Sequence, residues 1–395
     1  MSGNLSRLIE NLPVSQTIAM SNRAREMRAA GKDVINLSLG EPDFNTPGFI
    51  KEAAIEAIRD NYHAYPPVNG YLELREAISR KFRRDNGLDY KPEQIVVSTG
   101  AKQSLANAVM SLIDPGDEIL LPAPYWVSYE ALVRLSQAVP VVIPTTVESG
   151  FKITPEQLER HIGARTKLLF LNSPNNPSGT VYTENELKEL AAVLRKHPGV
   201  FIISDEIYEH INYGVKTLSF ASIEGMYERT ITVNGVSKAF SMTGWRIGYL
   251  GAPEWIAKAC TKMQGQITSG ANCIAQRATI AALDAPVDSI RYMIDEFDRR
   301  RKRVIELLDH IPGFRTNRPM GAFYIFPDIS HYFGRELKGR SIRHATDLAM
   351  YLLEEALVAT VPGEAFGIPS CLRLSYASSL ETLETAIERI HRALE

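Results

Sequence analysis

Short apolar segments alternate with helical patterns through the middle of the chain, and this alternation limits the possible folds more than any other feature. The apolar segments are Ile95–Val97, Glu118–Leu121, Lys167–Leu171, Val200–Ser204, Thr230–Val233 and Ile247–Gly251. Between them lie amphipathic patterns such as Lys102–Ile113, and two capping boxes, Thr154 with Gln157 and Thr183 with Glu186. Short apolar strands separated by helices predict an α/β fold with a largely parallel sheet covered on both faces.

The pattern changes beyond about residue 290. A long helical pattern is followed by mixed strands and helices: Asp288–His310, Ala322–Phe326, Thr346–Ala356, Leu357–Val361, Leu372–Tyr376 and a closing helix through Leu394. This order predicts a smaller α+β domain. Thr46 is the predicted N-cap of the first helix of the larger domain, with Pro47 at the first helical position. We therefore predict a large domain over 46–294 and a small domain formed by 1–45 with 295–395.

Composition excludes several classes of protein. The 395 residues include 44 Lys and Arg against 46 Asp and Glu, a formal net charge of −2 without the excess of basic residues that nucleic-acid binding favours. The sequence has neither an apolar run of membrane-spanning length nor a signal-peptide pattern. Cys260, Cys273 and Cys371 are widely spaced and form no CxxC pair, which indicates reduced thiols. We expect a cytoplasmic protein that binds neither nucleic acid nor membranes and holds no metal.

Two charged residues end apolar strands, at the edge where open α/β sheets bind ligands. Asp205 closes Phe201–Ser204, and Tyr208 follows it. A buried carboxylate needs a partner, which is either a helix terminus or salt bridge, or the cationic nitrogen of a bound ring. Lys238 follows Thr230–Val233. It is either an exposed lysine or a desolvated amine with a lowered pKa that can form an imine with a carbonyl.

Further polar residues follow the same strands. Ser98–Gln103, which includes Gly100, Ala101 and Lys102, forms a strand–helix turn suited to an anion, and Arg246 lies between glycines. Asn176 follows another strand, Trp126 is placed to stack on a flat ring or to pack in the core, and Arg373 lies inside an apolar strand, where it needs an anion. Neither a Walker loop nor a G-x-G-x-x-G motif is present. Together these residues describe a ligand with a basic ring nitrogen, a hydroxyl, an aldehyde and a phosphate, which is pyridoxal 5'-phosphate.

The motifs resemble those of the class I aminotransferases over nearly the whole chain, from about Pro13. The similar segments are Gly40–Phe44, Asn175–Gly179, Ser204–Tyr208, Gly235–Gly248 and Arg373–Tyr376. The likeness is greatest to the bacterial and plastid beta subgroup of aspartate aminotransferases, some of which also use prephenate. It implies the fold-type-I architecture of pyridoxal-phosphate enzymes and a homodimer with shared active sites. It also implies transfer of an amino group between aspartate, or another acidic amino acid, and 2-oxoglutarate, as in amino-acid biosynthesis.

The resemblance also implies roles for individual residues. Lys238 would form the imine and carry the proton, Asp205 would pair with the ring nitrogen, and Asn176 and Tyr208 would bind the ring oxygen. Trp126 would stack on the ring. Gly100, Ala101, Lys102 and Arg246 would hold the phosphate with Tyr65 of the partner subunit, and Arg373 would bind the substrate α-carboxylate beside Gly40. Some relatives have a phosphate-binding serine where this chain has Gly235, so Ser237 is the candidate for that hydroxyl.

The distal carboxylate of an acidic substrate needs a further partner. Gly265–Asn272 contains no arginine. We predict that Lys102, with Thr17 and Ser15, receives this carboxylate; the alternative is that Lys102 serves the phosphate loop or the solvent. Rival functions are another aminotransferase or a β-lyase on the same scaffold, a non-catalytic regulator that binds the cofactor, and an aldolase that uses Lys238 alone.

Overall fold

The computed structural model describes residues 5–10, 12 and 14–395. Residues 1–4, Asn11 and Pro13, which the predicted small domain includes, lie outside the described residues. The α-helices within the described residues are α1 Arg7–Glu10, α2 Gln16–Ala29, α3 Gly48–Arg59, α4 Leu72–Lys81, α5 Ala101–Leu112, α6 Val127–Leu135, α7 Pro155–His161, α8 Glu184–Arg195, α9 Glu254–Ile267, α10 Cys273–Asp284, α11 Arg291–Asp309, α12 Ala345–Tyr351 and α13 Leu380–Leu394.

The strands follow the same numbering in chain order. They are β1 Ile35–Asn36, β2 Ile95–Ser98, β3 Glu118–Pro122, β4 Val139–Ile143, β5 Thr166–Asn172, β6 Phe201–Asp205, β7 Thr230–Gly235, β8 Gly248–Gly251, β9 Tyr324–Ile325, β10 Arg335–Leu337, β11 Arg340–Ile342, β12 Val358–Ala359, β13 Val361–Pro362 and β14 Leu372–Ser375. Each of the six apolar segments of the middle region forms a strand, as predicted.

The central sheet has seven strands in the order β2-β8-β7-β6-β5-β3-β4. Only β8 runs antiparallel to its neighbours, so the predicted largely parallel sheet is confirmed. Asn172 at the end of β5 pairs with Asp205, which pairs with Val233 of β7. The parallel strands therefore end along one edge of the sheet, and the polar residues that follow them lie close together.

Several details differ from the sequence-based expectation; strands β1, β10 and β11, for example, were not predicted. The N-cap of α3 is Pro47 and not Thr46, because the Thr46 hydroxyl donates instead to the Ser241 carbonyl at 2.6 Å. Strand β4 was not predicted; it is a partly exposed edge strand that contains Pro140, which edges tolerate. The predicted strand Leu357–Val361 is two strands, since β12 pairs with β1 and β13 pairs with β14. Both predicted capping boxes are present.

The hydrophobic core consists of several clusters. One joins the segment Met20–Leu37 to residues from Phe297 to Ala393, and it also includes Tyr208. The other clusters surround the seven-stranded sheet. This packing is compatible with the predicted division into two domains, whose boundaries stay a prediction. In the described part of the chain, none of the helices has the length and apolar character that crossing a bilayer requires.

Candidate active site

A cavity of about 410 Å³ lies at the carboxyl edge of the seven-stranded sheet. The predicted site residues that line it are Ser15, Thr17, Gly40, Ala101, Lys102, Trp126, Asn176, Asp205, Tyr208, Ser237, Lys238, Arg246 and Arg373. Gly100 lies directly beside it. Tyr65 does not line this cavity and is 96% exposed. The structure thus brings together residues that are up to 358 positions apart in the sequence, from Ser15 to Arg373.

Lys238 follows β7 and points into the cavity. Its ammonium donates to the carbonyl of Gly40 at 2.6 Å. Burial lowers the pKa of Lys238 to about 8. The positive charges of Arg373 and Arg246 also lower this pKa, whereas the carboxylate of Glu41 raises it. At pH 7 about a tenth of the lysine is therefore the uncharged amine, against fewer than about one in a thousand at the usual pKa of 10.5, and the uncharged amine is the nucleophilic and basic form.

Asp205 ends β6 and is buried at the cavity wall. Tyr129 donates its hydroxyl hydrogen to Oδ2 at 2.7 Å, and the Ile207 amide donates to Oδ1 at 3.2 Å. Burial raises the pKa of Asp205 to about 6, while these two donors and the charge of Lys238 oppose the rise. The carboxylate is thus ionised at neutral pH, and each oxygen keeps a lone pair for a further cationic donor.

Arg373 lies on β14 and is only 2% exposed. Its Nη1 donates to Asn176 Oδ1 at 3.1 Å, and its Nη2 donates to the Ser38 carbonyl at 2.6 Å. Nε has no hydrogen-bond partner, and the guanidinium forms no ion pair with a carboxylate of the described residues. A buried cation without an anion is costly, so the site is incomplete without an anionic ligand.

The start of α5 has the features of a site that could receive an anion. Gly100 has a φ of +83°, and a Cβ there would collide with the guanidinium of Arg246. The N-cap glycine provides no side-chain cap, which leaves the first amides of the helix, at Ala101 and Lys102, available as donors. Arg246 is exposed toward the cavity and is held by the Thr243 and Thr99 carbonyls at 3.0 and 3.3 Å.

Two groups that line the cavity, on Thr17 and Lys102, have neither a hydrogen-bond nor an ion-pair partner among the described residues. The hydroxyl of Thr17 is buried without a hydrogen bond. The ammonium of Lys102 lies 4.9 Å from the centre of the Trp126 ring. Burial lowers the pKa of Lys102, and the charge of Arg246 adds to this effect. A donor and a cation therefore face the same space that Ser15 lines.

Two tyrosines of the site were not predicted from the sequence. Tyr129 lies on α6, three residues after Trp126, where its helical spacing resembles that of core residues. Tyr324 on β9 contacts the hydroxyl of Tyr208 at 2.9 Å and lies under the guanidinium of Arg373 at 4.7 Å. The one sequence signal for Tyr129 was its place in the first turn of a helix that follows a strand end.

The donor set fits pyridoxal 5'-phosphate. An amine of lowered pKa can take the aldehyde, a buried carboxylate can pair with the ring nitrogen, and a helix N-terminus with an arginine can hold the phosphate. These groups belong to Lys238, Asp205, and Ala101 with Arg246, respectively. The glycine at position 100 makes room for that arginine, which supports the same assignment.

The lowered pKa of Lys238 leads to a prediction about the stability of the cofactor-free protein. We expect Lys238→Met to raise the free energy of unfolding at pH 7 by up to about 3 kcal/mol, because the folded-state pKa is lowered. Between about pH 8 and 10.5 the unfolded wild-type chain binds a proton that the folded chain has released, so wild-type stability rises with pH and the difference shrinks. Urea unfolding at several pH values measures this, with the exposed Lys258→Met as control. A difference that does not change with pH would contradict the lowered pKa.

Comparisons with known proteins point in one direction. The sequence profile of the family described as aminotransferase class I and II matches residues 32–390. A protein of Petunia hybrida named bifunctional aspartate aminotransferase and glutamate/aspartate-prephenate aminotransferase is 48% identical, over 99% of this chain and 83% of that one. The crystal structure of an aspartate aminotransferase from Rhizobium meliloti superposes with a TM-score of 0.96, at 44% identity over 100% of this chain and 99% of that one. The structure of the Thermus thermophilus aspartate aminotransferase with maleate superposes with a TM-score of 0.93, at 42% identity over 99% of this chain and 100% of that one.

Proposed function

This chain belongs to the family of class I and II aminotransferases, and within that family we propose that it transfers the amino group of aspartate, or of another acidic amino acid, to 2-oxoglutarate with pyridoxal 5'-phosphate as cofactor. The observation that carries the proposal is the buried Arg373, which faces the Lys238 cavity without a carboxylate partner among the described residues. An α-carboxylate would complete its hydrogen bonds. The names of the relatives support the choice of aspartate.

The cofactor would supply an aldehyde that binds amines and a ring that takes up electrons. Around it, Arg373 binds the substrate α-carboxylate and thereby fixes the α-carbon near Lys238. Lys238 Nζ takes the proton from that carbon, and in the second half of the reaction it returns a proton to the α-carbon of the incoming 2-oxo acid. The Gly40 carbonyl holds Nζ on the substrate side of the cavity.

Asp205 and its neighbours set the charge distribution of the site. With the cofactor bound, the Asp205 carboxylate would pair with the ring nitrogen and favour its protonated form, and Tyr129 and the Ile207 amide fix the direction of the carboxylate. Asn176 and Tyr208 would bind the ring oxygen and Trp126 would stack on the ring. The Gly100 loop, Arg246 and Ser237 would hold the phosphate.

We assign the distal carboxylate of the substrate to Lys102, Thr17 and Ser15. The lone hydroxyl of Thr17 and the ammonium of Lys102, which no carboxylate of the described residues neutralises, support this assignment. A flexible lysine sets less exact geometric demands than a bidentate arginine, so a bulkier dicarboxylate such as prephenate is a further substrate.

The Lys102→Met variant tests the distal site. It is expected to lower kcat/KM with aspartate and 2-oxoglutarate by roughly 10²-fold, the size of one lost charged contact, and to change kcat/KM with a monocarboxylic donor much less. Steady-state assays with aspartate and with alanine measure both, and Thr17→Val is the matched variant that removes only the hydroxyl. Equal losses with both donors would assign Lys102 to the cofactor or the fold.

We also propose that two chains share their active sites through Tyr65. The side chain is 96% exposed and does not line the cavity of its own chain. A tyrosine hydroxyl from the partner subunit would add one hydrogen bond to a charged phosphate, so Tyr65→Phe should weaken cofactor binding by roughly 1.5–3 kcal/mol. Cofactor titration of the two proteins measures this difference.

Mixed dimers test the sharing directly. Tyr65→Glu places a negative charge at the phosphate and should be nearly inactive, as should Lys238→Ala. Re-association of equal amounts gives half mixed dimers, each with one intact site, so about a quarter of wild-type activity should return. Recovery of no more than the sum of the parents would contradict a shared site.

An assay of the purified protein tests the function itself. A panel of amino donors is combined with 2-oxoglutarate, oxaloacetate and prephenate as acceptors, and the products are identified. We expect aspartate with 2-oxoglutarate to give oxaloacetate and glutamate. Release of ammonia or cleavage of the side chain would indicate a lyase, and no turnover with any pair would contradict an enzyme. The cytoplasmic location stays a prediction.

A further inference from the structure

The turn after β6 presents its side chains to two opposite sides. Asp205 and Tyr208 line the cavity. The next residue in each case is a glutamate whose side chain is buried and does not line the cavity, Glu206 and Glu209. These glutamates contact Lys81 of α4 and Asn86 of the segment that follows it. The backbone of the turn is closed by the Glu209 amide, which donates to the Glu206 carbonyl at 2.9 Å.

A lysine lies at the centre of the contacts behind this turn. The side chain of Lys81, the last residue of α4, is only 1% exposed, and its ammonium contacts the carboxylate of Glu209. It also donates to Asn86 Oδ1 at 2.6 Å. The side-chain nitrogen Nδ2 of Asn86 in turn donates to the carboxylate of Glu209 at 2.6 Å and to that of Glu206 at 3.2 Å. We call Lys81, Asn86, Glu206 and Glu209 the Lys81 cluster.

The same cluster reaches the strand that carries the catalytic lysine. Asn234, four residues before Lys238, donates from Nδ2 to Glu209 at 2.7 Å and accepts from the Gly235 amide at 2.8 Å. Glu209 therefore joins the end of β7 to the turn that bears Asp205 and Tyr208. A shift of the Glu209 carboxylate would therefore displace the backbone segments that carry Asp205, Tyr208 and Lys238.

The charges of the cluster fit an ion pair and not a metal. Asp85, Glu209 and His210 are close enough to one another to hold an ion. The ammonium of Lys81 already contacts Glu209 and lies 3.8 Å from Asp85. These two carboxylates therefore have a cation, Lys81, without a metal ion. Burial alone would raise the pKa of Glu209, but the charges of Lys81 and His210 and the hydrogen bonds from Lys81 and Asn86 together outweigh it and lower the pKa to about 2.

We propose that the Lys81 cluster positions Asp205, Tyr208 and the end of β7 for transamination, with Lys81 and Glu209 as positioning residues that touch neither substrate nor cofactor. This inference rests on the proposed function of the cavity. Interior groups transmit displacement because the core around them is close-packed. A misplacement of the turn alters first the groups that act on the cofactor ring, whereas the hydrogen bonds that hold Arg373 come from Asn176 and the Ser38 carbonyl, outside the cluster.

The Glu209→Gln variant removes the charge with little change in volume. In the cofactor-free protein, hydrogen exchange of the peptide that spans 205–211 should become about tenfold faster, because local opening is easier. With cofactor and aspartate, kcat should fall roughly 10- to 100-fold, the scale of a misplaced catalytic group, while KM for aspartate changes by less than about threefold. The exchange measurement needs neither cofactor nor activity.

Leu194→Ala is the matched control. Leu194 is fully buried in a separate cluster and does not line the cavity, so the variant loses stability, by about 2–5 kcal/mol, for a reason unrelated to the turn. We expect it to keep the wild-type kcat and exchange at 205–211. If Glu209→Gln does not fold, the double variant Lys81→Met/Glu209→Gln is measured in the same way. It removes both charges of the ion pair, so that no buried ammonium is left without its carboxylate.

The inference would be overturned if Glu209→Gln or the double variant kept the wild-type exchange at 205–211 and the wild-type kcat. It would also be overturned if Leu194→Ala changed exchange and kcat as much as these variants do. An inactive wild-type protein would instead contradict the proposed function, and the exchange of 205–211 would still decide whether the cluster holds the turn.

Discussion

Lys238→Ala is expected to lower kcat for transamination between aspartate and 2-oxoglutarate by at least about 10⁴-fold. The variant loses both the amine that attaches the cofactor and the base that moves the α-proton. The amine is suited to both tasks because burial lowers its pKa to about 8. Steady-state kinetics with saturating cofactor measure the loss.

Lys152→Ala is the control for a general effect of losing a lysine. Lys152 forms an ion pair with Glu186 at 2.7 Å and does not line the cavity. This variant should keep wild-type kcat. A Lys238→Ala protein that retains activity within tenfold of the wild type would remove Lys238 from the mechanism, since one general base alone is worth roughly 10²–10⁴-fold.

Asp205→Asn should retain the cofactor and lose about 10²–10³-fold in kcat, on the scale of one electrostatic group directed at developing charge. A neutral amide cannot keep a ring nitrogen protonated, so the ring takes up electrons less well. Lys238 and Arg246 remain to hold the cofactor. Absorbance of the bound cofactor and steady-state rates measure the two effects separately.

Asp328→Asn is the matched control, because Asp328 is also buried but pairs with Arg315 outside the cavity. It should turn over like the wild type. Tyr129→Phe should lie between the wild type and Asp205→Asn, since it removes one donor and leaves the carboxylate. Near-normal turnover in Asp205→Asn would refute the role of Asp205.

The sequence is most informative where a polar residue interrupts an apolar pattern. Asp205 stands out because it ends a buried strand, Lys238 because it follows one closely, and Arg373 because it is a charged residue inside one. In a parallel sheet these positions converge on one edge whatever the details of packing. The cavity could therefore be predicted from strand ends and motifs alone, and its residues lie together in the structure.

The supporting residues could not be predicted, because their contacts depend on which strands are neighbours. Tyr129 meets Asp205 across 76 positions of sequence, and Lys81 meets Glu209 across 128. Each has a commoner interpretation, as a core aromatic residue or a solvated lysine on a helix. Strand β4 was missed for a local reason, since its partly exposed side chains and Pro140 obscure the apolar pattern. The roles of the site residues and the domain boundaries stay predictions.

Borohydride reduction of the cofactor-loaded protein, followed by proteolysis and mass spectrometry, tests the central claim most directly. The account predicts that the added mass of the reduced cofactor lies on Lys238 and is absent when Lys238 is replaced by alanine. A label on another lysine, or no label in a protein that transfers amino groups, would contradict it.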